Sequence, residues 1–319
     1  MNYRIIKRSV SSYSSKLISD PFKIDNTRKM RDTNSKFPKP NIVSFDAFGT
    51  IYVPKVPVFQ QYFEISNDMG FEKSMDSIRN DFPPIFKGMN ERFPNFGKNS
   101  KEITSVESWW SELIVKLYNI EHYSQNEKSM ELCNRLLDRF SGAEGYHLFE
   151  DVIPTISKLK DKGVNVVISS NSDARVIEIL EKLGVMKYLD EDDIYLSYDI
   201  DFEKPAKLFF DAVLDSHFSK TSRPTKEEKV HYLSNVWHVG DEHDADYLGA
   251  VKAGWNGVFL DRDAISRYLS HYIPDPEDNN PSCMGKPPTS EYSDKPMQLI
   301  ANNRAVISDL RQLLDLYDM

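Results

Sequence analysis

The sequence predicts an α/β fold: a Rossmann-like parallel sheet with helices on both faces, and a helical cap inserted after the first strand. Three observations predict it. From residue 149 onward, short apolar runs alternate with amphipathic stretches at the interval of strand–helix units. Before that, residues 58–145 carry helical patterns with no strand pattern between them. Several apolar runs also end in acidic or hydroxyl residues, and in parallel sheets such ends share the edge where ligands bind. On this reading the sheet domain comprises 41–57 and 146–319, and the helical domain 58–145.

The first strand is the apolar run Ile42, Val43, Phe45, which breaks at Asp46 and Gly49-Thr50. Helical stretches follow around Phe59, Tyr62 and Ile65, then over 75–80, 104–117 and 128–140. They are separated by Pro83-Pro84, by the Pro94–Gly97 turn and by Ser124-Gln125-Asn126. Phe86, Phe93, Trp109 and Trp110 suit the core of that domain, with a substrate-pocket lining as the alternative. Arg79 and Arg92 suit solvated surface, with an anionic substrate as the alternative.

The sheet domain then reads as a helix over 151–162, a strand over 164–169 ending in Ser170-Asn171, and a helix over 174–183. A strand over 194–198, a helix over 205–216, a strand over 236–239 into Gly240-Asp241, a helix over 246–253 and a strand over 257–260 follow. Residues 274–296, rich in Pro, Asn, Asp, Ser and Gly, read as a mobile surface excursion. Leu299-Ile300 read as a last strand and 305–317 as an amphipathic closing helix.

The net charge of −9 is uneven: residues 1–40 carry +7 and the rest −16. An acidic body argues against nucleic acid as a partner. No apolar stretch reaches the roughly 18 residues of a membrane span. Cys133 and Cys283 are the only cysteines, too few for a disulfide framework and too far apart in sequence for a C-x-x-C pair. Residues 1–19 hold Arg4, Lys7, Arg8, Lys16, six serines and no acid, with Ile6, Val10, Tyr13 and Leu17 at helical spacing. That is the composition of a mitochondrial presequence, with a linker to residue 40; the alternative is a basic tail on a cytoplasmic protein. Oligomeric state stays open.

In order, the motifs are FDAFGT (45–50), ISSN (168–171), EKPAKLFF (203–210) and VGDEHDADYLGAVKAGW (239–255). Each alone has a plainer reading as a cap or solvated charge. The ordered set resembles the haloacid dehalogenase-like (HAD) hydrolase superfamily, and the inserted helices resemble the cap of its dehalogenases and many of its small-molecule phosphatases. Residues 93–110, FPNFGKNSKEITSVESWW, resemble the cap of eukaryotic HAD-like proteins of the rhythmically expressed gene type.

The resemblance implies hydrolysis of a small phosphorylated molecule, with Asp46 as nucleophile forming an aspartyl-phosphate. It implies Mg²⁺ held by Asp46, the Phe48 carbonyl, Asp241 and Asp246, a cation suited to hard oxygen ligands. It implies phosphoryl oxygens held by Ser170 and by the backbone at Ala47 and Phe48, with Asn171 beside the substrate, Lys204 offsetting charge and Thr50 buttressing the loop. One position departs: phosphatases of this superfamily carry an acid–base Asp two residues after the nucleophile, where this chain has Phe48. The dehalogenases place an aromatic residue there and need no metal. Two alternatives follow, a metal-independent dehalogenase-like hydrolase and a catalytically weak binding or regulatory protein.

Overall fold

The computed structural model describes residues 36–220, 225–266, 268–269 and 296–319. The expected presequence, the linker up to residue 35 and the 274–295 part of the expected excursion lie outside the described residues. The chain begins with β1 (Phe37–Pro38), β2 (Ile42–Phe45) and β3 (Tyr52–Pro54). Four helices follow: α1 (Val58–Asp68), α2 (Met75–Arg92), α3 (Val106–Leu117) and α4 (Glu127–Arg139). Then come β4 (Tyr146–Leu148), α5 (Val152–Asp161), β5 (Asn165–Ser170), α6 (Arg175–Lys182), β6 (Ile194–Leu196), α7 (Ser197–Ile200), α8 (Lys207–Lys220) and α9 (Lys226–Leu233). After β7 (Val236–Gly240) stand a π-helical turn (His243–Leu248), α10 (Gly249–Ala253) and β8 (Asn256–Leu260). β9 (Gln298–Ala301), β10 (Arg304–Ile307), α11 (Leu313–Leu316) and β11 (Tyr317–Asp318) close the chain.

The main sheet has the order β6-β5-β2-β7-β8-β10-β9 and is parallel except for β9, which runs antiparallel to β10. Successive strand residues face opposite sides, and the strands use both. Val43, Phe45, Val166, Ile168, Trp237 and Val239 pack with α5 and α6. Ile42, Val167 and Val236 pack with Phe209, Phe210 and Val213 of α8 and Ala250 of α10. Helices on both faces are the physical reason these strands are predominantly apolar. In register, Phe45 stands beside Ile168 and Val239, so the residues after them emerge together at one rim.

The antiparallel pair β3–β4 carries the chain into and out of the helical insertion. Those helices have apolar clusters of their own, one around Phe59, Tyr62, Ile78 and Leu132, another around Met89, Phe93, Trp109 and Leu113. Trp109 is fully buried and donates to the Phe93 carbonyl at 3.0 Å; Phe86 and Trp110 are half-buried. Arg79 pairs with Asp76 at 3.0 Å and Arg92 with Glu102 at 2.6 Å, so neither is drawn into the acidic site described below.

The insertion also reaches across to the sheet domain. Asn95 Nδ2 donates to the Ser197 carbonyl at 2.9 Å, Ser197 Oγ returns a bond to Asn95 Oδ1 at 3.0 Å, and Lys98 pairs with Asp201 at 2.6 Å.

Four expectations are corrected. The helix expected over 305–317 is mostly something else: Arg304–Ile307 is β10, paired to the open edge of β8, and only Leu313–Leu316 is α-helical. The run Ala305, Val306, Ile307 suits a strand, and the Asp309 carboxylate, accepting from Arg311 N, starts a new turn after it. The break expected at Pro83-Pro84 does not occur, because α2 runs through both prolines to Arg92. Ile78 and Met89 on either side are buried, and Phe82, Ile85 and Phe86 pack beside them, which offsets the lost backbone bonds. The strand expected over 194–198 ends at Leu196, where α7 begins. The helix expected from Asp246 opens three residues earlier as the π-helical turn, with both Asp246 N and Tyr247 N donating to the Glu242 carbonyl.

Candidate active site

Asp46 is the first residue beyond β2, and the chain must turn sharply there to leave the sheet. Gly49 makes that turn with φ of +85°, and a Cβ on it would stand 2.4 Å from Asp241 Oδ2. Glycine is required twice over, for the left-handed backbone and for the close approach. Thr50 Oγ1 donates to Asp241 Oδ1 at 3.2 Å, tying the first motif to the last. Arg262, after β8, donates to the Thr50 carbonyl at 2.7 Å while bound to Asp151 through both nitrogens of its fork.

A second close approach is at Gly240, where a Cβ would lie 2.2 Å from the Asp246 carboxyl carbon. Gly240→Ala is therefore expected to push Asp246 out of place and to cost about 1–3 kcal/mol of stability, by the usual penalty for overpacking. Thermal unfolding checks it, and a midpoint equal to the parent's would refute the crowding.

Lys204 joins the site from the loop after α7. Its Nζ, almost wholly buried, donates to Asp46 Oδ1 and Asp246 Oδ1, each at 2.7 Å, and to the Ser169 carbonyl at 2.8 Å. Ser170 Oγ donates to the same Asp46 Oδ1 at 3.0 Å. Asn171, expected beside the substrate, instead spends its amide on the Lys204 backbone: Nδ2 donates to the carbonyl at 2.8 Å, and Oδ1 accepts from the N–H at 2.7 Å. That contact fixes where the lysine stands.

Behind the rim lies a polar chain within the apolar sheet. Ser44 sits in register beside His238 and bonds to its Nδ1 at 3.0 Å and to the Ser169 hydroxyl. His238 Nε2 lies 3.1 Å from Asp246 Oδ1. Burial, and then the Lys204 ammonium, hold His238 below its ordinary pKa, so the imidazole is neutral and donates from Nε2 to the carboxylate.

The charges follow from these contacts. Burial pushes the Asp46 carboxyl up; Lys204 opposes that rise and Asp246 adds to it. Burial also pushes Asp246 up, but Lys204 and His238 together more than offset it and hold the group below the carboxylate range. Lys204 loses basicity to burial and regains more from Asp246 and Asp46.

Asp46, Asp241 and Asp246 each offer an oxygen within 4.8 Å of the others. Three carboxylates against one ammonium leave an excess of negative charge, and an all-oxygen donor set suits a hard divalent cation. The glycines at 49 and 240 clear the space around Asp241 and Asp246. Among the described residues, the N–H groups of Ala47 and Phe48 donate to nothing. The Phe48 ring, 40% exposed, stands at the mouth against Tyr52 and Tyr146, at 6.1 and 6.4 Å between ring centres.

The expected residues thus meet at one rim, with Asn171 bound to the Lys204 backbone. Ser44, His238 and Arg262 were absent from the sequence reading. The available signal was a polar residue inside each of two apolar runs, IVSF and VWHVG.

Residues 40–254 match the haloacid dehalogenase-like hydrolase family. The chain is 34% identical over 244 residues to the uncharacterized protein YMR130W of Saccharomyces cerevisiae, spanning 75% of this chain and 77% of that one. It is 22% identical to the rhythmically expressed gene 2 protein of Drosophila melanogaster, over 72% of this chain and 86% of that one. Its fold is similar to that of a 2-haloacid dehalogenase from Pseudomonas syringae pv. Tomato DC3000, with a TM-score of 0.52 and 16% identity over 87% of this chain and 97% of that one. With the family match covering well over half the sequence and the four motifs gathered at one sheet edge, this chain belongs to the haloacid dehalogenase-like hydrolases.

Proposed function

We propose that the chain hydrolyses a small phosphorylated compound through an aspartyl-phosphate on Asp46, with a divalent cation, Mg²⁺ by the chemistry of its ligands. The observation that carries this reading is the trio Asp46, Asp241 and Asp246 around Lys204. A site with excess negative charge repels a phosphate dianion unless a cation offsets it. Those three carboxylates and the Phe48 carbonyl would hold the cation, which when bound offsets charge on the phosphoryl oxygens.

Among the described residues, both hydrogen bonds to the Asp46 side chain fall on Oδ1, which leaves Oδ2 for attack. Oδ2 forms a bond to phosphorus as the ester P–O bond breaks, and the departing oxygen takes a proton from water because Phe48 has none to give. A second water then attacks phosphorus and gives up a proton to the hydroxide left by the first, the Asp46–phosphoryl bond breaks, and phosphate leaves with the carboxylate restored. Lys204 and Ser170 keep Asp46 oriented, while the Ala47 and Phe48 N–H groups receive the phosphoryl oxygens. Asn171 holds the Lys204 backbone in place.

Phe48 favours a second reading. A halide needs no proton on leaving, so a dehalogenase-like reaction, with Asp46 attacking carbon and no metal, loses nothing by an aromatic residue there. If neither reaction occurs, the pocket serves a binding or regulatory protein.

One experiment separates the three: hydrolysis of a phosphomonoester panel and of 2-haloacids, each with Mg²⁺ and with EDTA, by the parent and by Asp46→Asn. The proposal expects Mg²⁺-dependent phosphate release, lost by more than about 10³-fold in Asp46→Asn because no nucleophile remains. Haloacid turnover in EDTA sinks it in favour of the second reading, and no turnover leaves the third. We propose a mitochondrial location from the N-terminal composition, to be tested by fractionation and N-terminal sequencing.

A further inference from the structure

Strand alternation sets Ser44, Ser169 and His238 on the sheet face covered by α8, each two residues after Ile42, Val167 or Val236. Polar side chains in an apolar layer are costly unless they find partners there. These close a ring with the site. Ser169 Oγ and Ser44 Oγ bond to each other, Ser44 Oγ bonds to His238 Nδ1 at 3.0 Å, and His238 Nε2 lies 3.1 Å from Asp246 Oδ1. Lys204 Nζ donates to that same Oδ1 at 2.7 Å and to the Ser169 carbonyl at 2.8 Å, which completes the circuit. None of the five residues is more than 4% exposed.

The direction of each bond follows from the charged end. Asp246, beside an ammonium, only accepts, so His238 Nε2 carries the proton. Nδ1 of the neutral ring is then an acceptor, Ser44 donates to it, and the Ser44 oxygen accepts from Ser169. Phe210 meets the imidazole edge-on at 5.5 Å and packs it in that orientation. The two oxygens of Asp246 are thereby unlike. Oδ1 accepts from Lys204 and His238, whereas Oδ2, among the described residues, accepts only from Glu242 N at 2.9 Å.

A plainer role exists, in which Ser44 and His238 are a core pair that satisfies itself. That accounts for the bond between them. It does not account for an imidazole aimed at a carboxylate oxygen that already holds an ammonium, when apolar residues at both positions would leave nothing to satisfy.

We infer that His238, oriented by Ser44, is a positioning residue that keeps Asp246 Oδ1 turned inward and presents Oδ2 to the divalent cation. The inference rests on the cation invoked under Proposed function. With two donors on Oδ1, the carboxylate plane cannot turn without breaking a buried bond. Partners that orient a metal ligand in this way carry about 10- to 100-fold in metal affinity.

Mg²⁺ titration of the full chain by calorimetry, with no substrate present, tests this apart from turnover. His238→Leu, close to histidine in volume but without a donor, is expected to bind Mg²⁺ about tenfold or more weakly than the parent. His238→Gln should recover affinity to within about threefold, because its amide nitrogen stands as many bonds from Cβ as Nε2 does. Ser44→Ala, which removes only the group that holds the imidazole, should weaken binding by about threefold, the worth of one hydrogen bond. Thr155→Val, which removes a buried hydroxyl on α5, should leave binding unchanged. Nitrogen-15 spectra of the parent should place the His238 proton on Nε2 alone, a signature independent of how the variants fold.

Unchanged Mg²⁺ affinity in a folded His238→Leu, a deficit that His238→Gln does not repair, or an equal deficit in Thr155→Val would each overturn the inference. So would a proton on Nδ1. If His238→Leu fails to fold, the Ser44→Ala titration decides, and parental affinity there overturns it. The expected affinity series in a chain that hydrolyses no phosphate ester defeats the phosphatase reading and leaves the positioning role standing. Mg²⁺-dependent phosphate release with parental Mg²⁺ affinity in His238→Leu does the reverse, and a parent that binds no Mg²⁺ defeats both.

Discussion

Lys204→Met is expected to lower phosphate release by about 10²- to 10³-fold, the range found when one preorganised charge donor is removed. It is also expected to destabilise the cation-free protein by about 3–5 kcal/mol, the cost of breaking a buried pair from one side. The second effect follows from what surrounds Nζ: Asp46, Asp246 and the Ser169 carbonyl lose their shared donor at once. Methionine fills the volume, so the loss reports charge rather than a cavity.

At neutral pH in EDTA the unfolding midpoint should fall by about 10 °C, taking roughly 2–4 °C per kcal/mol for a chain of this size. The Asp246 contribution to the pH dependence should change sign. In the parent, Asp246 titrates below its unfolded value, so its contribution is present above about pH 4 and is lost as pH falls toward the folded value, while Asp46, raised by burial, contributes in the opposite direction. Without the ammonium, burial and mutual repulsion raise Asp46 and Asp246 above their unfolded values. Stability then increases as pH falls through those raised values. A variant that loses stability on acidification as the parent does, or unfolds within about 2 °C of it, would show that Lys204 does not hold the charges together.

How much of this was legible in the sequence varies by element. β2, β5 and β7 are each an apolar run ending in a polar residue, and that local pattern carries both the strand and its ligand-facing end. The last residues mislead for the same reason. Ile307, Leu310, Leu313 and Leu314 keep helical spacing, yet the edge of β8 takes Arg304–Ile307 as a strand, a decision made by pairing at a distance. Asn171 could not be assigned locally because its partner, Lys204, is 33 residues on. Ser44 and His238 are single polar residues in apolar strands until register sets them side by side.

Phe48→Asp is expected to raise kcat/KM for an alkyl phosphate by about 10²- to 10⁴-fold, the usual contribution of a positioned acid–base. The position tolerates the change: the ring is 40% exposed and touches Tyr52 and Tyr146 edge-on, at 6.1 and 6.4 Å between ring centres. The backbone there is held independently, by Gly49 N donating to the Tyr52 carbonyl and Tyr52 N to the Ala47 carbonyl. A carboxyl two residues past Asp46 could protonate the departing oxygen and later take a proton from the attacking water. An alkoxide needs that proton; p-nitrophenolate, a much weaker base, does not. The gain should therefore be large for ethyl phosphate and small for p-nitrophenyl phosphate, and the ratio of the two is the quantity to measure because it cancels changes in folding and cation affinity. Equal gains would mean that the new carboxylate acts through general electrostatics, and no gain in a folded, cation-binding variant would mean that the pocket does not hold phosphorus in line with Asp46. If the parent instead releases halide from a 2-haloacid, the same substitution should slow it, since a halide needs no proton and an added negative charge repels the substrate carboxylate. The direction of the change on the two substrate classes thus separates attack at phosphorus from attack at carbon.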